Sequence, residues 1–218
     1  MTSTDDPHAG QPVIAAGTPL ANAKAAMIMV HGRGAGPENI LDLVPQLAHP
    51  AFAYLAPAAA NRTWYPLSFL SDRQKNEPYL SSALGALARV VARVVAGGLP
   101  TDRIVLLGFS QGACLASEFA LRHPARYGGI NAFSGGLIGP PDTTWPATGR
   151  LDGCASFFGC SDVDAHVPAA RVEESAAVYR GMGADVTARI YPGMGHTVIA
   201  DEIDAARAIM LRVAGPPA

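Results

Sequence analysis

The sequence predicts an α/β protein with the α/β layering of a mainly parallel central sheet, helices on both faces and no large cap domain. Two observations lead there. Short apolar runs of strand length, such as Ala25–Val30 and 104–107, alternate with segments whose apolar residues recur every three to four positions. That alternation marks βαβ units, in which a helix returns the chain so that successive strands run parallel.

Taken in order, the strand candidates are 25–30, 52–56, 103–109, 129–133, 156–159 and 187–191, with a short one at 13–16 before the Gly17-Thr18-Pro19 turn. Leu80, Ala83, Leu84, Leu87, Val90, Val91, Val94 and Val95 form one helical stripe, with Arg89 and Arg93 on the other side and Gly97-Gly98 as its stop. Val172, Ala176, Tyr179 and Met182 mark a second helix. Ile203, Ala206, Met210 and Val213 mark the last, with Asp201 as its N-cap. Residues 37–48 read as helical, shortened or kinked by Pro45. Stretches 57–78 and 134–153 have neither period. Each follows a strand, so both are expected to roof the binding site, because strand-end loops build such sites in α/β proteins.

Length and charge narrow the function. The 218 residues suit one catalytic domain, 13–218, behind a loose N-terminal tail, 1–12. A net charge of −2 without a basic cluster gives no case for a nucleic-acid partner. The polar, acidic start lacks a secretory leader's basic and apolar regions. No unbroken apolar run nears the roughly 20 residues that span a bilayer. A cytoplasmic protein without integral membrane association is expected, and a homodimer stays open. Cys114, Cys154 and Cys160 follow no metal-ligand spacing, read as buried thiols, and suggest no metal or other cofactor.

The chemistry begins at Gly108-Phe109-Ser110-Gln111-Gly112, which falls between a predicted strand and a predicted helix. This is the G-x-S-x-G nucleophile elbow of the α/β-hydrolase fold: a sharp turn pushes the serine oxygen clear of the sheet. Backbone must pass close by two residues on either side, where glycine is needed. The serine then requires a base. Of six histidines, His8 lies in the tail, His49 and His123 sit beside helix ends, His31 shapes a loop, and His166 follows the 156–159 strand. His196, in the loop before the last helix, completes the chain order serine, acid, histidine. Asp162 and Asp164 both fall in the right loop for the acid, and the residues alone do not separate them. The backbone N–H groups of Gln111 and Arg33 are the expected oxyanion donors, the latter from the glycine-rich His31-Gly32-Arg33-Gly34 loop. The Arg33 side chain is expected to be solvated.

With these residues in view, the chain resembles the phospholipase/carboxylesterase family, which includes acyl-protein thioesterases, and within it a bacterial esterase branch marked by Trp64-Tyr65-Pro66 and Asn76-Glu77-Pro78. The resemblance covers nearly the whole length, through His31-Gly-Arg-Gly34, the serine turn, Asp164-Ala-His-Val-Pro168 and Pro192-Gly-Met-Gly-His196. It implies that Asp164 is the acid, although Ala165 stands where the family usually has proline. It also implies hydrolysis of small to medium carboxylic esters through an acyl-enzyme, with thioesters and lysophospholipids as further substrates. Trp64, Tyr65, Phe69, Leu70, Leu137 and Ile138 are the candidate pocket residues. The competing readings are a ligand-binding protein without catalysis and an acyltransferase with the same residues.

Overall fold

The computed structural model describes residues 6–146 and 148–216. Seven strands form one sheet: β1 (Val13–Gly17), β2 (Ala25–Val30), β3 (Phe52–Pro57), β4 (Ile104–Phe109), β5 (Gly129–Phe133), β6 (Ala155–Ser161) and β7 (Asp185–Tyr191), in the order β1-β3-β2-β4-β5-β6-β7. All neighbours are parallel except β1, which pairs antiparallel with β3 from Val13 opposite Pro57 to Gly17 opposite Ala53. The expected α/β-hydrolase architecture is therefore present.

The helices are α1 (Pro37–Leu41), α2 (Val44–Leu47), α3 (Tyr79–Ala96), α4 (Gln111–Arg122), α5 (Ala169–Gly181) and α6 (Ala200–Ala214). One face of the sheet packs on α3, α4 and α5, the other on α1, α2 and α6. Side chains alternate between these layers: in β2, Ala26, Ile28 and Val30 meet the first, while Ala25, Met27 and Met29 meet the second. Both faces being covered explains why the central strands read as continuous apolar runs. Edge strand β7 alternates instead, with Asp185, Thr187 and Arg189 exposed. By length and composition α3 is apolar enough to cross a membrane, with a mean hydropathy of 1.4 over 18 residues. Its Leu80, Ala83, Leu87, Val90 and Val94 are buried in the core.

The 37–48 segment is helical and interrupted near Pro45, as expected: it forms two short helices, with Pro45, which lacks an N–H, accommodated in the first turn of α2. Two local expectations need correction. Asp201 does not cap α6. Its Oδ2 accepts from Arg189 at 2.6 Å and Tyr191 Oη at 2.5 Å, while Glu202 Oε2 accepts the free Ile199 N–H at 3.1 Å. Residues 6–12 are not loose. His8 is 2% exposed, its N–H donates to Ser82 Oγ at 2.8 Å, and its ring nitrogens meet Trp64 O at 2.9 Å and Ala60 N–H at 3.0 Å. Asp6 pairs with Arg89 at 3.0 Å. These are long-range polar contacts, which leave no periodicity in a sequence. Residues 1–5 of that tail lie outside the described residues.

Glu202 is the most exposed to linkage of the buried acids. It is 0% exposed, Oε1 has no hydrogen-bond partner, and burial pushes its carboxyl up to about 7 from 4.5. An unfolded chain releases this proton near 4.5, so the folded state holds it over the interval from there to about 7, and stability falls as pH rises through that window. At pH 8 the cost is on the order of 3 kcal/mol. Glu202→Gln retains an acceptor for Ile199 N–H, and its Tm should exceed the wild type's at pH 8 but not at pH 4, as thermal melts would read.

Candidate active site

Ser110 sits between β4 and α4 at φ 56° and ψ −122°, a left-handed φ that the turn imposes. Its N–H donates to Phe133 O at 2.9 Å. The flanking glycines are sterically required. A Cβ at Gly112 would lie 2.1 Å from Val30 O, and one at Gly108 would lie 2.4 Å from the Gly112 carbonyl. No L side chain fits either gap.

Three chain segments meet at this turn. The His196 ring packs beside Phe109 and His166, at centroid distances of 5.0 and 4.9 Å. Its Nε2 lies 2.8 Å from Ser110 Oγ and its Nδ1 lies 2.7 Å from Asp164 Oδ2. The Asp164 side chain is 0% exposed and His196 is 21% exposed. Burial pushes the Asp164 carboxyl up, but hydrogen bonds from His196 and from the N–H groups of His166 and Val167 outweigh it, so the group is held below its ordinary value. Those N–H groups reach Oδ1 at 2.8 and 3.0 Å. Asp162 faces another way and accepts Gly193 N–H at 2.8 Å.

The remaining histidines serve structure or the rim. His31 Nδ1 meets Gly32 O at 2.8 Å and Nε2 meets Ala59 N–H at 3.1 Å. His49 contacts Gly215 O at 2.9 Å and His123 stacks on Phe119 at 4.5 Å. His166 is exposed at the cleft edge.

A cleft of about 420 Å³ opens over Ser110, lined by Arg33, Tyr65 to Phe69, Gln111, Cys114, His166, Val167 and His196. Of the expected pocket residues, Tyr65 and Phe69 line it. Trp64, Leu70, Leu137 and Ile138 do not. Trp64 is fully buried and its Nε1 donates to His31 O at 2.9 Å, making it a strut behind the loop. Leu70 packs on the core. Leu137 and Ile138 are 0% exposed, and their N–H groups donate to Ser175 Oγ at 2.8 Å and Glu118 Oε2 at 3.0 Å. The 137–138 part of stretch 134–153 thus turns down onto α4 and α5, and no described residue of that stretch lines the cleft; the 164–167 loop supplies the opposite wall. Buried polar anchors such as Glu118 redirect the backbone, and hydropathy does not reveal them.

The sequence reading also missed two side chains. Gln111 Oε1 accepts Trp64 N–H at 3.0 Å and its Nε2 donates to Tyr65 O at 2.8 Å. Arg33 is exposed, as expected, but its guanidinium also donates to Pro66 O at 2.7 Å and Leu67 O at 2.6 Å, contacts that the sequence did not announce. A glutamine directly after the serine was the available signal for the first. Cys114 lies at the cleft wall, where burial pushes its thiol up to about 12. Among the described residues no group of three or more His, Cys, Asp or Glu is arranged to hold a metal ion.

The model of the phospholipase/carboxylesterase family matches residues 10–211. An acyl-protein thioesterase 1 from Eremothecium gossypii is 29% identical over 212 residues, covering 86% of this chain and 87% of its own. A phospholipase/carboxylesterase structure from Dyadobacter fermentans superposes with a TM-score of 0.89 at 40% identity, covering 93% of this chain and 97% of its own. The structure of esterase PE8 superposes at 0.75 with 25% identity, covering 93% and 98%. With the sheet order, the serine turn and a family match over almost the entire length, the chain belongs to the phospholipase/carboxylesterase family, carboxylic ester hydrolases of the α/β-hydrolase fold.

Proposed function

We propose that the protein is a serine carboxylesterase acting on small to medium esters through an acyl-enzyme, with Ser110 as nucleophile, His196 as general base and Asp164 as the acid that orients it. The observation that carries this reading is the continuous hydrogen-bonded line from Ser110 Oγ to His196 Nε2 at 2.8 Å and from Nδ1 to Asp164 Oδ2 at 2.7 Å. In the first step the serine oxygen bonds to the ester carbonyl carbon while its proton passes to Nε2. The tetrahedral intermediate collapses as that proton goes to the departing alcohol. Water, deprotonated by the same nitrogen, then attacks the acyl-serine; that proton passes on to Ser110 Oγ as the acyl–oxygen bond breaks and the acid leaves. Asp164 holds the imidazole with Nδ1 protonated and stabilises the imidazolium.

Gln111 N–H and Arg33 N–H are the proposed oxyanion donors. Neither donates to an acceptor among the described residues. Gln111 opens α4, whose positive end adds to the stabilisation of negative charge. Thioesters form the second substrate class, supported by the likeness to the Eremothecium gossypii acyl-protein thioesterase 1. The unit is proposed to act as one catalytic domain in the cytoplasm.

A fluorophosphonate probe should label the wild type and leave Ser110→Ala unlabelled; labelling that persists in the variant would overturn the assignment and leave room for a ligand-binding role. Ser110→Ala and His196→Ala should each lower kcat for p-nitrophenyl acetate on the order of 10⁴-fold. Asp164→Asn should approach that loss because Asn favours the wrong tautomer, whereas Asp162→Asn should keep activity within about threefold, since an amide oxygen still accepts Gly193 N–H. A reversed ranking of the two aspartate variants identifies Asp162 as the acid. The cleft volume sets chain length: kcat/KM for acetate to hexanoate p-nitrophenyl esters should exceed that for palmitate by about tenfold or more. Running acyl-CoA substrates beside them separates esterase from thioesterase, and added alcohols expose any acyl transfer in the product mixture.

A further inference from the structure

Resting on that esterase reading, we propose that the cleft selects esters carrying a second, anionic oxygen group, and that the Arg33 guanidinium is the residue that selects them. Arg33 lines the cleft that holds Ser110. Its two terminal nitrogens donate to Pro66 O at 2.7 Å and Leu67 O at 2.6 Å. Both acceptors are neutral, so they fix the side chain without cancelling its charge. Arg89, Arg122, Arg189 and Arg212 each have a carboxylate within 3.0 Å; what sets Arg33 apart from the other arginines without one is its place on the cleft beside Ser110. No carboxylate lies within the 4.0 Å ion-pair limit of Arg33 among the described residues.

No aspartate or glutamate is among the residues that line the cleft. Asp164, which holds His196 from behind, keeps its own negative charge, but its side chain is 0% exposed and does not line the cleft. Tyr65, on the same wall as Arg33, keeps its hydroxyl buried beside Cys114 and adds no charge to the cleft. A guanidinium has five N–H donors in a planar fork that matches a carboxylate, and the two already committed hold the fork in place before substrate arrives. A fixed cation in a concave site that lacks a counter-ion favours an anionic ligand over its neutral ester analogue.

The test compares two matched pairs: p-nitrophenyl hydrogen adipate against p-nitrophenyl methyl adipate, with the charge on the acyl side, and 4-acetoxybenzoate against its methyl ester, with the charge on the leaving side. At low salt the wild type should prefer the anion in at least one pair by about tenfold in kcat/KM, and the pair that responds tells which side Arg33 serves. The preference should shrink as salt rises. Arg33→Gln should lower the anion-to-neutral ratio to about one, while Arg33→Lys, which keeps the charge but not the fork, should retain part of it. A strap that only positions the 66–67 loop would lower both members of each pair together and leave the ratio untouched. That result, or a wild type that hydrolyses the neutral esters without preferring either anion, overturns the inference and leaves the esterase reading standing. No turnover of any of the four esters overturns both.

Discussion

The approach of the α4 start to the end of β2 is the constraint on which the site depends. Gly112 lies so near Val30 O that a Cβ there would sit 2.1 Å away, and Gly108 meets the backbone of Gly112 just as closely. Only because those two residues lack side chains can the chain reverse from strand to helix within one residue. That reversal holds Ser110 at a left-handed φ, lifts its oxygen above the sheet and aims the first N–H groups of α4 into the same space. The half-buried Ser110 hydroxyl and the helix start beside it thus come from one steric condition.

Around that turn, the loops are tied to one another by polar side chains. Gln111 clamps the backbone of Trp64 and Tyr65, Trp64 reaches His31 O, and Arg33 holds Pro66 and Leu67. Three segments distant in sequence are cross-linked into one wall of the cleft. On the other wall, Asp164 accepts the N–H groups of His166 and Val167 with one oxygen and faces His196 with the other, so the same carboxylate shapes the loop and orients the imidazole. Ala165, where a proline is usual in the family, leaves this arrangement intact, since its stability rests on those two hydrogen bonds.

The polar groups buried away from the cleft have a different cost. Glu202 supports the start of α6 through one oxygen and leaves the other without a partner beside Gly159, where a Cβ would lie 2.3 Å from Oε1. The price of that start is a carboxyl that resists ionisation near neutral pH.

Periodicity and steric demand were readable in the residues themselves. The parallel sheet, five helical segments and the serine turn follow from apolar spacing and from glycines at 108 and 112, because local geometry leaves local marks. The order of serine, acid and histidine along the chain points to His196 as the candidate base. Pocket walls left no such mark. Whether Trp64, Leu137 or Ile138 faces the cleft or the core depends on partners 20 to 65 positions away, such as His31 for the indole, Glu118 for the Ile138 N–H and Arg73 for the Ile138 carbonyl. The same holds for the docking of His8, the division of labour between Asp162 and Asp164, and the unneutralised charge of Arg33. Composition determined the layers; only the tertiary structure decided which polar group meets which, because a hydrogen bond between distant segments is specified by three-dimensional proximity and not by spacing along the chain.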